Sequence, residues 1–104
     1  MNFTGDENHA ITLEEASALT ARYRATANAD DAKAEYFGKQ SLISLLSQNA
    51  CVGVRIYYGV DEENVKKLVL VGVDAEGNDL YEGDLMERGV LCPPICSADN
   101  PLNS

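Results

Sequence analysis

"CVGVRIYYGVDEENVKKLVLVGVD", residues 51–74, decides the fold. It holds two runs rich in Val, Ile and Tyr, the residues that suit a pleated, half-buried surface. The polar "DEEN" between them reads as a turn. Two such runs around a short polar loop make an antiparallel hairpin. Counting outward from a four-residue loop at Asp61–Asn64 sets a register. Val60 then faces Val65, Tyr58 faces Lys67, Ile56 faces Val69, Val54 faces Val71 and Val52 faces Val73. Side chains alternate across a strand, so this face is almost wholly β-branched. The other face pairs Tyr57 with Leu68, Arg55 with Leu70, Gly53 with Gly72 and Cys51 with Asp74.

Upstream, "ITLEEASALTARYRATAN" (11–28) opens with a helix-start signature. Thr12 is a good N-cap and Glu15, three residues on, completes a capping box, with Ile11 placed to staple to Ala16. Glu14 and Glu15 also suit the positive end of the helix dipole. Leu13, Ala16, Leu19, Tyr23 and Ala27 form one apolar stripe at helical spacing. A second helix is expected over about 38–48, where Leu42, Leu45 and Leu46 share a face and Phe37 joins them a turn earlier. Residues 1–10 are polar and without periodicity, and read as a flexible arm.

Downstream, "DAEGNDLYEGDL" (74–85) holds a turn at Glu76–Asn78 and a short strand near Leu80–Tyr81. Pro93, Pro94 and Pro101 forbid a long helix, so residues 85–104 read as extended. The fold class is α+β. Two helices pack on one face of an antiparallel, hairpin-based sheet, and an extended C-terminal tail follows. One domain spans 11–97, between the arm and a flexible tail at 98–104; 104 residues suit a single domain. The second hairpin face then needs a cover. The stiff "LCPPIC" (91–96) is expected to strap across it near Gly53 and Gly72. Leu91 and Ile95 would then lie over Leu68 and Leu70, and Cys51 near Cys92 or Cys96.

Seventeen acids against eight bases give a net charge of −9. Such a chain repels nucleic-acid phosphates and anionic lipid, so any partner of that charge is a basic protein. The start, "MNFTGDENHA", has no signal-peptide pattern, and no apolar run approaches the ~20 residues of a membrane helix. The chain reads as cytoplasmic, where three cysteines are expected as reduced, small apolar groups.

Few constellations carry chemistry. Cys92 and Cys96 are spaced C-x3-C, not C-x2-C, and a metal site with Cys51 lacks a fixed fourth ligand, because the single histidine, His9, lies in the arm. A calcium loop from Asp74, Glu76 and Asn78 fails at Asp79, which should be glycine, and at Leu85, which should be glutamate. No nucleophile and base, no acid–base pair and no phosphate-binding glycine loop are assembled, so no cofactor and no enzyme activity are expected.

Arg55 stands mid-strand in an apolar run. Its stem either lies over the hairpin face to meet Asp74 or another acid, or anchors a partner's carboxylate. A lone two-stranded hairpin is marginal in water, so a further strand, the tail or a second subunit must complete it. The leading expectation is a non-catalytic protein-interaction module that forms a homodimer, with Arg55, Tyr57, Leu68 and Leu70 as interaction residues. The alternatives are a thiol or metal site using Cys51, Cys92 and Cys96, and a small acidic inhibitor or immunity-like protein that masks a basic partner.

"CVGVRIYYG", "LVLVGVDAEGNDL" and "CPPIC", in that order, resemble a group of short bacterial proteins. These have a helix, a Cys-x-Gly-x-Arg-Ile-Tyr strand, a Val-Gly-Val-Asp strand and a Cys-Pro-Pro tail. The resemblance covers about residues 11–97. It implies kinship and carries no activity, cofactor or site residue with it.

Overall fold

The hairpin forms, in a register one residue away from the expected one. The computed structural model describes residues 2–103 and has an α+β fold. In chain order the elements are α1 (Leu13–Thr26), β1 (Ala34–Tyr36), α2 (Lys39–Leu46), β2 (Gly53–Val60), β3 (Lys66–Val73), β4 (Leu85–Met86) and β5 (Val90–Cys92). Two antiparallel sheets result, one with strand order β2-β3-β4 and one pairing β1 with β5.

The turn explains the register. Asp61 N–H donates to Val65 O at 3.0 Å, so these two residues close the loop. Asp61 Oδ1 accepts the N–H groups of Glu63 and Val65, both at 2.9 Å. Asn64 takes the left-handed conformation (φ 65°), which Asn tolerates better than most residues. A three-residue loop ending in a left-handed residue is a common hairpin connection. Val54 therefore faces Gly72, not Val71, and Ile56 faces Leu70. One face carries Val54, Ile56, Tyr58 and Val60 with Lys66, Leu68, Leu70 and Gly72. The other carries Gly53, Arg55, Tyr57 and Gly59 with Lys67, Val69, Val71 and Val73. The expected β-branched face is thus divided between the two sides.

The same turn recurs at Asp74–Asn78. Asp74 Oδ1 accepts from Glu76 and Asn78, Asp74 N–H donates to Asn78 O, and Gly77 is left-handed (φ 87°). It sends the chain back along β3, where Val73 bridges Asp79 and Leu80 N–H reaches Gly72 O.

The capping box at α1 forms as expected. Thr12 accepts from Glu15 N, and the Glu15 carboxylate accepts from Thr12 N and is held below the usual carboxylate range by that bond. The apolar stripe of α1, however, is not buried: Leu13 and Leu19 are exposed. This helix reaches the body through Tyr23, whose hydroxyl donates to Ala32 O and meets Lys66 Nζ at 3.2 Å, and through Arg24, which donates to Leu102 O at 2.5 Å.

α2 supplies the core. Leu45 is 0% exposed where α2 meets β3, and Leu70 on that strand is 3% exposed. Gln48, just past the helix, acts as a clasp. Its amide donates to Leu45 O and accepts from Asp84 N, both at 2.8 Å, while Ser44 donates to Asp84 at 2.8 Å. A Cβ on Gly72 would stand 2.9 Å from Gln48 Nε2 and 3.0 Å from Cys51 Sγ, so glycine lets this segment lie against the sheet.

The tail does not strap across the hairpin. Lys33 N–H and β1 pair with β5 instead, and Ile95 is exposed. The reason is backbone pairing. Residues 34–36, ahead of the expected second helix, are extended and offer the tail a ladder. Glu35 ties this small sheet to the large one by accepting from Leu68 N–H at 3.1 Å. The N-terminal arm touches the body too: Phe3 N–H donates to Ala75 O at 2.7 Å, and Gly5 lies against Val52 O.

Candidate functional site

Arg55 and Tyr57 are two residues apart in β2 and so share a face. Both reach Asp79, which the Asp74–Asn78 turn delivers opposite Val73. Arg55 forms an ion pair with Asp79 Oδ1 at 2.5 Å and also donates to Gly77 O at 3.0 Å. Tyr57 donates its hydroxyl to the other Asp79 oxygen. Arg55 therefore meets an acid of its own chain, as one of the two expected readings had it. That acid is Asp79, not Asp74. The cluster ties the loop after β3 back onto β2.

The electrostatics follow from these bonds. The Tyr57 hydroxyl, and then the Arg55 guanidinium, hold the Asp79 carboxyl below its usual value. The Asp79 carboxylate pushes Tyr57 up and also raises Arg55. Asp79 binds its proton more weakly in the folded chain than in the unfolded one. Its contribution is thus complete above the unfolded value and is lost as pH falls through the folded one. Tyr57 behaves in reverse. Its contribution is complete below about pH 10 and is lost as pH rises through the raised value. Asp79→Asn is therefore expected to lower stability between about pH 5 and 10, and the difference from the parent chain should shrink towards pH 3. Urea unfolding followed across that range checks this, and a difference independent of pH would show that the carboxylate is not the linking group.

Leu68 and Leu70 lie on the opposite face from Arg55 and Tyr57. Leu70 belongs to the core and Leu68 is half-buried. The four expected interaction residues thus do not form one patch. The register accounts for the separation, because a shift by one residue moves the β3 side chains to the other side of β2's.

The cysteines also part from expectation. Cys92 and Cys96 form a disulfide, with Cα atoms 4.8 Å apart, where reduced thiols were expected. Ile95 N–H donates to Leu91 O at 3.0 Å, and that turn brings the two sulfurs together. Cys51 is not beside them. It is a free thiol after α2, donating to Gly53 O at 3.2 Å. Among the described residues no three His, Cys, Asp or Glu side chains gather where they could hold a metal.

What the molecule presents instead is an open edge. Among the described residues β2 pairs with β3 on one side and with no strand on the other. Three bonds show which backbone groups look outward. Asp61 donates to Val65, Leu80 donates to Gly72, and Leu68 donates to Glu35. Odd-numbered residues of β3 therefore bond towards β2, and even-numbered ones bond away from it. By the same alternation the N–H and C=O groups of Val54, Ile56, Tyr58 and Val60 point out of the free edge of β2. All four side chains are exposed, Tyr58 at 93%. A groove of about 660 Å³ adjoins the end of this edge, lined by Tyr58, Val60, Leu68, Tyr23 and Lys66.

Comparison with family models, with curated proteins and with solved structures finds no match to this chain. Among the described residues no helix is long and apolar enough to cross a membrane.

Proposed function

We propose that this chain is a non-catalytic protein-interaction module that associates with a second copy of itself. One observation carries the reading: the chain by itself leaves too much surface in water. Its accessible area is 7833 Å². A folded monomer of its 11.2 kDa mass exposes about 5,700 Å² on the usual scaling. Its radius of gyration is 15.3 Å, against about 13 Å for a compact chain of this length. Among the described residues, only Leu45, Leu70, Val71 and Val73 are buried hydrophobic residues. The surplus of roughly 2,000 Å² is more than twice the ~800 Å² that one partner contributes to a standard stable interface. Exposed Tyr58, Ile56 and Val60 supply the apolar part of such an interface.

Sedimentation equilibrium from low to high micromolar concentration tests the reading. The expected result is a species of twice the 11.2 kDa chain mass that dissociates on dilution. A mass of 11.2 kDa at every concentration would overturn it.

A further inference from the structure

We infer that two copies join along the free edges of β2 and build one continuous sheet across a two-fold axis at Tyr57. This rests on the self-association proposed above and names the surface, the register and the symmetry.

An eight-residue strand with one side unpaired is a template for another strand. Edge strands are normally blunted by proline, by a charge pointing inward, by shortness or by a covering element. β2 has no proline, its one charge, Arg55, is held by Asp79, and its outward residues are exposed. Among the described residues no proline, unheld charge or further strand blunts residues 54–60 of this edge.

The sequence of the edge selects the second copy and the register. A two-fold axis makes the pairing antiparallel and self-complementary. The outward backbone groups belong to residues 54, 56, 58 and 60, whose midpoint is Tyr57. With the axis there, Val54 faces Val60 of the second copy and Ile56 faces Tyr58 of the second copy. Every outward N–H and C=O of the four residues then has a partner. An axis at Ile56 leaves Val60 opposite residue 52, outside the strand. An axis at Tyr58 leaves Val54 opposite Glu62, in the turn.

The side chains agree with this choice. One face stacks valine on valine and isoleucine on tyrosine, pairs that add to sheet stability. On the other face Arg55 stands opposite Gly59 of the second copy, so the two arginines do not meet and the long side chain finds no obstacle. Asp61 at the strand end falls opposite Gly53, not another acid. The two Tyr57 residues face each other as a non-hydrogen-bonded pair, the spacing at which side chains of opposite strands are closest.

That spacing supplies the test. Facing residues of a non-hydrogen-bonded pair have Cα atoms about 4.5 Å apart, within the range a disulfide spans. In a Cys51→Ser background, Tyr57→Cys is expected to form a covalent dimer under mild oxidation. Tyr81→Cys, more exposed to solvent than Tyr57 but off the edge, is expected to remain uncrosslinked. Because Tyr57→Cys also removes a bond to Asp79, a second variant leaves the monomer intact. Tyr58→Lys replaces a side chain that is 93% exposed. It should keep the parent melting curve at low concentration and raise the dimer dissociation constant at least tenfold. A parent chain that is monomeric throughout removes both the self-association and this edge. A parent dimer that Tyr58→Lys leaves unweakened overturns the edge while self-association stands. A dimer weakened by Tyr58→Lys but not cross-linked through position 57 overturns the register.

Discussion

Val71→Asp is expected to leave the chain unfolded at room temperature. Val71 is 2% exposed in β3, between β2 on one side and β4 on the other. It faces Arg55 across the ladder, but that guanidinium is already paired with Asp79. A carboxylate at position 71 would be buried without a dedicated partner, at a cost of about 4 kcal/mol or more. A domain of this size has a total stability of roughly 5–15 kcal/mol. With so few buried hydrophobic residues, this one belongs near the lower end. Ile95→Asp places the same group at an exposed position in the tail, away from the β2 edge, and should cost under about 1 kcal/mol. Circular dichroism at equal concentration compares the two. A Val71→Asp chain with a parent-like melting curve would remove Val71 from the core.

Leu45→Ala has the second largest expected effect. Leu45 is the one fully buried large side chain among the described residues, where α2 meets β3. Truncating a buried leucine to alanine costs about 2–5 kcal/mol, from lost transfer energy and the cavity left behind. The same change at Leu46, one residue on and 46% exposed, should cost less than about 1 kcal/mol. Urea midpoints for the pair measure the contrast. Equal shifts would mean that α2 does not present residue 45 inward. Gln48 is expected to follow Leu45 down, since its two bonds hold the turn at Asp84 against the helix end.

The four buried hydrophobic residues among those described cannot stabilise a chain of this length by burial alone. Side chains that fasten loops carry much of the tertiary order: Asp79 on Arg55 and Tyr57, Gln48 on Asp84, and Glu35 on Leu68. Each lies far in sequence from its partner. The dimer proposed along β2 would complete the large sheet that these fasteners leave open.

The parts of this protein that a reader can extract from the chain are those whose cause lies within a few consecutive residues. The capping box of α1 is complete in Thr12–Glu15, and it forms. The hairpin is written in two β-branched runs and a polar loop, and α2 in the spacing of Leu42, Leu45 and Leu46. The register was legible too, in Asn64. Its tolerance of the left-handed conformation selects a loop closing at Asp61 and Val65 and not at Val60 and Val65, and the same signal recurs at Gly77.

Folding in three dimensions settled the rest, because its causes are spread along the chain or carry no side-chain signature. β1 and β5 are three residues each, too short to show a period, and their ladder is made of backbone groups that every residue type possesses. The pairing that moved the tail from the hairpin to Ala34–Tyr36 was therefore invisible in composition. Asp79 was one of many acids available to Arg55, and only the turn at Asp74–Asn78 placed it there. The exposure of Leu13 and Leu19 is of the same kind. Helical spacing marks an apolar face, but what covers that face depends on where the other elements come to rest.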